Sequence, residues 1–200
     1  MNRVFKTLTL SLVVLLSACQ SAPPVPQDKY YRLTVTPGPT WTQPLLRDAV
    51  FVAPLRAEGL YAERAMLYAS VQRPRELLQY HYQFWSEPPA LLLQEHLRAS
   101  LGASHLAAQV TDVASASRVG YWLNGKILRL EKLTHEHQSK AIVELRFVLQ
   151  KTKPFETLWE RNYVAEELLL DGSQNAYVIA TELALQRIYG QLGQDVKALH

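Results

Sequence analysis

The order of elements in this 200-residue chain predicts an α+β fold, a largely antiparallel sheet with two helices packed on one face. Three observations carry that expectation. Ala141, Val143, Leu145, Phe147 and Leu149 alternate with Lys140, Glu144, Arg146 and Gln150, the period of a half-buried antiparallel strand. Leu93, Leu97 and Leu101 recur every four residues, widened by Leu92, with Glu95 and Arg98 on other faces, the period of an amphipathic helix. A second helical stripe, Ala180, Ala184, Ile188 and Leu192, broadened by Tyr177 and Leu185, closes the chain.

The elements follow in order. Tyr30-Tyr31-Arg32-Leu33-Thr34-Val35 is rich in strand formers and is ended by Pro37-Gly38-Pro39. Ala49-Val50-Phe51-Val52-Ala53, stopped by Pro54, is apolar throughout, as a central strand is. Met66 to Val71 and Leu77 to Phe84 read as a strand pair around the turn-prone Gln72-Arg73-Pro74-Arg75. Ser86 before Pro88 and Pro89 suits a helix start, with serine as cap, and Gly102 suits its end. Trp122 to Leu133 is a long strand of imperfect alternation: Tyr121, Leu123 and Ile127 share one parity, Leu128 and Leu130 the other. Either a bulge near Ile127 or two buried faces would account for it. After the turn at Lys151 to Pro154, Phe155, Thr157, Trp159, Arg161 and Tyr163 share a parity, so the region from Trp122 to Val164 forms a meander. Asp171 with Gln174 resembles a capping box for the last helix.

Ahead of this domain, Arg3 and Lys6 precede an apolar run from Leu8 to Leu16, then Ser17, Ala18 and Cys19. The run is too short to cross roughly 30 Å of hydrocarbon and reads as a secretion signal. Leu16-Ser17-Ala18-Cys19 resembles the bacterial lipobox, which implies cleavage before Cys19 and acylation of that residue. The covalent lipid, palmitate included, is then the chain's only non-protein group, and no other cofactor is expected. Gln20, in place of the aspartate that retains many lipoproteins at the inner membrane, points by the same resemblance to the outer membrane. Residues 1–18 are thus a signal peptide, 19–29 a proline-rich lipidated tether, and 30–195 a single domain.

Composition narrows the functional classes. The formal charge of +3 falls by two with Arg3 and Lys6, and the remaining basic residues are scattered among acids, so nucleic acid is not an expected partner. The eight glycines are dispersed and form no phosphate-cradling loop, and no Gly-x-Ser-x-Gly elbow occurs. His135 and His137 flank Glu136 at what reads as a solvated hairpin tip, two ligands where a metal site needs more. His81 and His96 stand alone, and the adjacent Glu166 and Glu167 read as a solvated turn near Asp171. No metal site and no enzymatic activity are expected. The cluster Tyr80, Tyr82, Phe84 and Trp85 reads either as core packing or as a contact surface for a partner or an acyl chain.

Several pieces, in their order along the chain, resemble the ABC-type transport auxiliary lipoprotein family. They are the lipobox at Cys19, the tether, Tyr30-Tyr31-Arg32-Leu33, Val50-Phe51-Val52-Ala53-Pro54-Leu55, the Leu60-Tyr61 loop and Tyr82-Gln83-Phe84-Trp85-Ser86-Glu87-Pro88. The last is similar to the family's Trp-Ala-Glu-Pro signature, with Ser86 for alanine and Pro89 where leucine is common. The resemblance implies a non-catalytic outer-membrane lipoprotein facing the periplasm. It would dock a mammalian-cell-entry (MCE) domain protein of an intermembrane phospholipid transport system, with possible phospholipid contact. The alternative is a lipoprotein that itself binds a lipid or other hydrophobic ligand. Arg32, Tyr82, Phe84, Trp85 and Glu87 are the candidate partner or ligand surface.

Overall fold

The computed structural model describes residues 25–35, 38–114 and 119–199. The leader, Cys19, most of the tether and Pro37 lie outside them. Eight strands form one sheet: β1 (Lys29–Tyr31), β2 (Ala49–Val52), β3 (Ala65–Ser70), β4 (Arg73–Trp85), β5 (Val110–Thr111), β6 (Val119–Thr134), β7 (Lys140–Thr152) and β8 (Phe155–Leu168). Two helices, α1 (Pro89–Ala103) and α2 (Gln174–Lys197), pack with it into one core. The fold is α+β, with the β6–β7–β8 meander antiparallel throughout.

Strand β6 organises the sheet. Its sixteen residues would span about 50 Å if fully extended. Strand β7 occupies one of its edges from Tyr121 to Leu133. The other edge is shared: β2 pairs with Val119–Leu123, and β3 pairs with Lys132–Thr134, both parallel to it. Between them, the backbone at Arg56 exchanges hydrogen bonds with Gly125 and Ile127, so the shared edge stays occupied. Strand β4 then pairs antiparallel with β3, β1 lies parallel on β4, and β5 flanks β2. Parallel pairs are therefore more numerous than the sequence pattern conveys, and the apolar β2 is paired on both edges.

The irregular alternation in β6 resolves as a bulge between Ile127 and Arg129. Before it, Leu123, Gly125 and Ile127 oppose Leu149, Phe147 and Leu145; after it, Leu130 and Lys132 oppose Val143 and Ala141. One extra residue, Leu128, flips the parity so that both halves point their apolar side chains at the helices. The opposite face of the meander is polar. Asn124 donates to Gln150 at 3.0 Å, Arg146 donates to Asn162 at 2.9 Å, and Lys140 pairs with Glu166 at 2.5 Å.

Helix α1 buries Leu93, Leu97 and Leu101 together with His96 and Ser100. Its start departs from expectation: Pro88 holds the cap position, no side chain caps the helix, and Ser86 instead donates its backbone N–H to Tyr31. Two prolines preset the first turn without need of a side-chain acceptor. The helix runs through Gly102, and the left-handed residue beyond its end is His105, with φ of 56°. Helix α2 presents Ala176, Ala180 and Ala184 beside Tyr177, Leu185, Ile188 and Leu192, the stripe the spacing predicts, and its alanines allow close approach to the sheet. Its cap is Ser173, whose hydroxyl accepts from Ala176 N–H at 3.0 Å; Asp171 sits two residues earlier and accepts from Ser173 N–H at 2.7 Å. Charged contacts fasten α2 to β8: Arg187 pairs with Glu167 and Arg161 with Asp195, while Tyr163 donates to Asp195 at 2.6 Å.

Gly125 lies where β6 meets two core side chains. A Cβ there would come within 2.8 Å of Leu55 Cγ and 2.9 Å of Phe147 Cε1. Gly125→Ala is therefore expected to lower stability by about 1–3 kcal/mol through overpacking, read as a reduced urea midpoint with unchanged slope.

Candidate functional site

The chain enters the domain along the β1–β4 edge, and that edge carries the candidate surface. Strand β1 pairs Lys29, Tyr30 and Tyr31 with Gln83, Phe84 and Trp85. Tyr30 stacks on Phe84 with ring centres 5.6 Å apart, and the Arg64 guanidinium lies 5.1 Å over the Tyr30 ring. Arg64 also donates to the carbonyls of Trp85 and Ser86, at 3.3 and 2.7 Å, so its charge is held against the chain it braces. Between Leu67↔Gln79 and Ala65↔Phe84, β4 carries three more residues than β3, a wide bulge that turns His81 and Tyr82 outward. Tyr30 is 56% exposed and Tyr82 43%.

Trp85 behaves differently from its neighbours. It is 1% exposed and meets Tyr177 of α2 with ring centres 5.9 Å apart. This corrects its assignment to a contact surface: its ring fills the core, and an aromatic cluster in sequence divides into two opposite roles in space. Tyr80 likewise turns inward, 4.5 Å from Tyr68.

Arg32 is exposed and forms no ion pair among the described residues. It begins a strap across the helices, where the sequence predicts that the first strand continues to Val35. Strand pairing stops at Tyr31 because the next backbone groups bond to helices. The Thr34 N–H donates to Glu182 of α2 at 2.5 Å, and its carbonyl lies 3.2 Å from Nε2 of His96 on α1. Beside the strap lies an open groove of about 350 Å³, lined chiefly by Leu33, Val35, Leu91, Leu92, Glu87 and His96. Leu91 is 48% exposed there. The structure thus brings Tyr30, Phe84 and Tyr82 to one edge and sets Glu87 in the adjoining groove. Tyr30, Arg64 and Leu91 are the members that sequence reasoning missed; they lie far apart in the chain, and only pairing of β1 with β4 and packing of the strap on α1 unite them.

Other sequence candidates are placed apart from this edge. His135 and His137 lie on the exposed β6–β7 tip with ring centres 5.7 Å apart. Among the described residues no group of three or more His, Cys, Asp or Glu side chains is placed to hold a metal ion. Glu166 and Glu167 point to opposite faces of β8, toward Lys140 and Arg187 respectively. Glu131, on β6, is buried and held by Tyr61 at 2.6 Å and Arg129 at 2.5 Å; this fastens the 3-10 turn Gly59–Ala62 to the sheet. Burial, with the Glu131 carboxylate beside it, raises the Tyr61 hydroxyl well above its ordinary range.

No family model and no curated protein matches the sequence. The fold is shared with solved structures. Protein XCC0632 of Xanthomonas campestris, described under the DUF330 family, superposes with a TM-score of 0.71 at 21% identity, over 84% of this chain and 95% of that one. A chain described as an uncharacterized protein gives 0.69 at 12% identity, over 85% and 99%. The hypothetical protein CT253 of Chlamydia trachomatis gives 0.54 at 10% identity, over 76% and 96%. These likenesses establish the architecture.

His96 supplies a pH test of the strap. Burial disfavours its imidazolium form and holds its pKa below the ordinary 6.5. The stability gained by burying the neutral ring is therefore complete above that value and is lost as pH falls below it, toward the lowered folded pKa. His96→Gln keeps a donor for the Thr34 carbonyl and removes the titration. Urea unfolding between about pH 8 and pH 5 is expected to show a smaller loss of stability in the variant than in the parent. Identical losses in the two proteins would mean that His96 does not gate the strap.

Proposed function

We propose that this chain is a non-catalytic, lipid-anchored lipoprotein of the outer membrane, facing the periplasm, that docks an MCE-domain protein of an intermembrane phospholipid transport system. The single observation that carries the reading is the aromatic edge of Tyr30, Phe84 and Tyr82 with its apolar groove, placed where the tether joins the domain. The lipobox ending at Cys19 and the ten residues after it support attachment to a membrane within reach of that edge. Anchoring raises the effective concentration of the domain toward anything that arrives at the same leaflet, so a modest apolar contact suffices for docking. Shared architecture with a DUF330-described protein is compatible with this family of roles and goes no further than fold.

The alternative, direct carriage of an acyl chain, needs an enclosed apolar space of several hundred Å³. Among the described residues the aromatic side chains Trp85, Tyr177 and Phe147 fill the interior, and the hollow between Pro39, Trp41, Ser100 and Tyr189 measures about 20 Å³, room for a single water. The larger hollows are open to solvent. A filled core beside an exposed apolar edge favours docking.

Two measurements test the reading. Cys19→Ala is expected to release a folded domain from the membrane on fractionation, since the described core is built from other residues; retention of the variant in the membrane would contradict the anchor. A photo-crosslinker at Tyr82 or Leu91 in intact cells is expected to capture an MCE-domain protein. Capture of phospholipid alone favours direct lipid binding, and capture of neither removes this edge as a docking site.

A further inference from the structure

Positive charge in excess of acid gathers at the end of the sheet remote from the β1 edge. Elsewhere the cations are largely committed: nine of the domain's Lys and Arg side chains form ion pairs, and Lys132 and Arg64 donate to backbone carbonyls. Arg47, Lys151, Lys153 and Lys197 have no ion-pair partner among the described residues.

The fold brings them together from distant parts of the chain. The Trp41 backbone N–H donates to the Ser104 carbonyl after α1, and Arg47 follows just before β2. Tyr121 near the start of β6 stands opposite Lys151 near the end of β7. Lys197 closes α2, with its ammonium 5.1 Å over the Trp41 ring. Trp41, Leu45, Arg47, Tyr121, Lys151 and Lys197, with Asp48, line an open hollow of about 750 Å³. An adjoining hollow shares Asp48 and Lys151 and adds Lys153 and Trp122. The acids here are Asp48, whose side chain rests on Gly120, and Glu156, paired with Lys151 in the β-ladder. Lys197 also meets the negative end of the α2 dipole. Four cations, Arg47, Lys151, Lys153 and Lys197, against the two carboxylates leave an excess of two positive charges.

We propose that this hollow binds the phosphate-bearing headgroup of an anionic amphiphile. Arg47 supplies a planar fork suited to two phosphate oxygens, while Lys151 and Lys197 supply point charges from the facing walls. Trp41, Tyr121 and Leu45 offer an apolar shoulder with polar tips, the surface that the glycerol and first methylenes of a lipid prefer to bare water. Because the hollow is open, binding is screened by salt. The inference deepens the lipid-trafficking reading by locating a headgroup contact. It is independent of the aromatic edge, so its failure leaves the docking tests above untouched.

The test uses the full-length acylated protein in nonionic detergent micelles, with tryptophan fluorescence as readout. Dihexanoylphosphatidylglycerol, dihexanoylphosphatidylcholine and inorganic phosphate are titrated separately. The anionic lipid is expected to give a saturable response that weakens with added salt and falls about tenfold or more in Arg47→Glu and in Lys151→Glu. Arg75→Glu, which alters another exposed cation on β4, is expected to leave it unchanged. Phosphate that competes as well as the lipid, and is lost in the same variants, supports the phosphate site and assigns its source to a free anion. No saturable response, an equal response to the zwitterionic lipid, or full binding in both charge-reversed proteins overturns the proposal. Unchanged thermal melting makes a loss specific to the site, and Arg47→Gln with Lys151→Gln replaces either reversal that fails to fold.

Discussion

A sixteen-residue strand whose two halves must both face the helices is the constraint on which the architecture depends. An uninterrupted strand of that length in a twisted sheet would drift away from a two-helix layer and would send Leu130 outward with the parity of its second half. The extra residue at Leu128 meets both demands, since a bulge bends the strand and resets its alternation. With the parity reset, β2 and β3 can occupy successive stretches of the same edge, which places β2 and β5 at one end of the sheet and the β3–β4–β1 extension at the other.

That arrangement separates the surfaces that matter. The tether joins the domain at β1, beside exposed aromatic rings, while the uncommitted cations lie where β6 and α2 reach their other ends. The domain presents an apolar edge near the point where the chain enters it and a charged hollow away from it. The core between them is filled by large side chains, including Trp85, Tyr177, Phe147 and Met66. With Cys19 as the chain's one cysteine, no intrachain disulfide assists, and packing with the charged clasps between α2 and β8 holds the helices in place.

Much of this was legible in the sequence wherever a single physical demand governed a residue. Strand β7 alternates because Ala141, Val143, Leu145, Phe147 and Leu149 all meet the core, while the other parity, apart from Ile142 and Val148, carries polar side chains. The α2 stripe is clean for the same reason. Where two demands compete, the reading is divided. Tyr82 and Trp85 share composition and neighbourhood, yet the wide bulge in β4 turns one outward while Trp85 is drawn against Tyr177. Ser86 has the chemistry of a cap, but Pro88 and Pro89 already set the turn. Asp171 and Ser173 both suit the start of α2, and only the backbone path selects the serine. The strap escaped because Leu33 and Val35 carry strand-forming side chains, whereas it is the backbone of Thr34 that decides their fate. Arg47, Lys151 and Lys197 are unremarkable in sequence, each with acids nearby, and acquire a common surroundings only when the ends of β2, β7 and α2 converge.

Strand β8 closes the meander with fourteen residues that, among the described residues, are paired on one side alone. Its outer row of backbone donors and acceptors is a template for a further strand, and a chain in a crowded compartment must discourage indiscriminate pairing there. Glu156, Glu160, Arg161, Glu166 and Glu167 stud that margin with charge, most of it held in ion pairs, and an identical copy laid parallel and in register against it would set each beside its own like charge. A segment able to add to the sheet at this border would have to avoid that coincidence of charges, which makes the border selective in whom it admits.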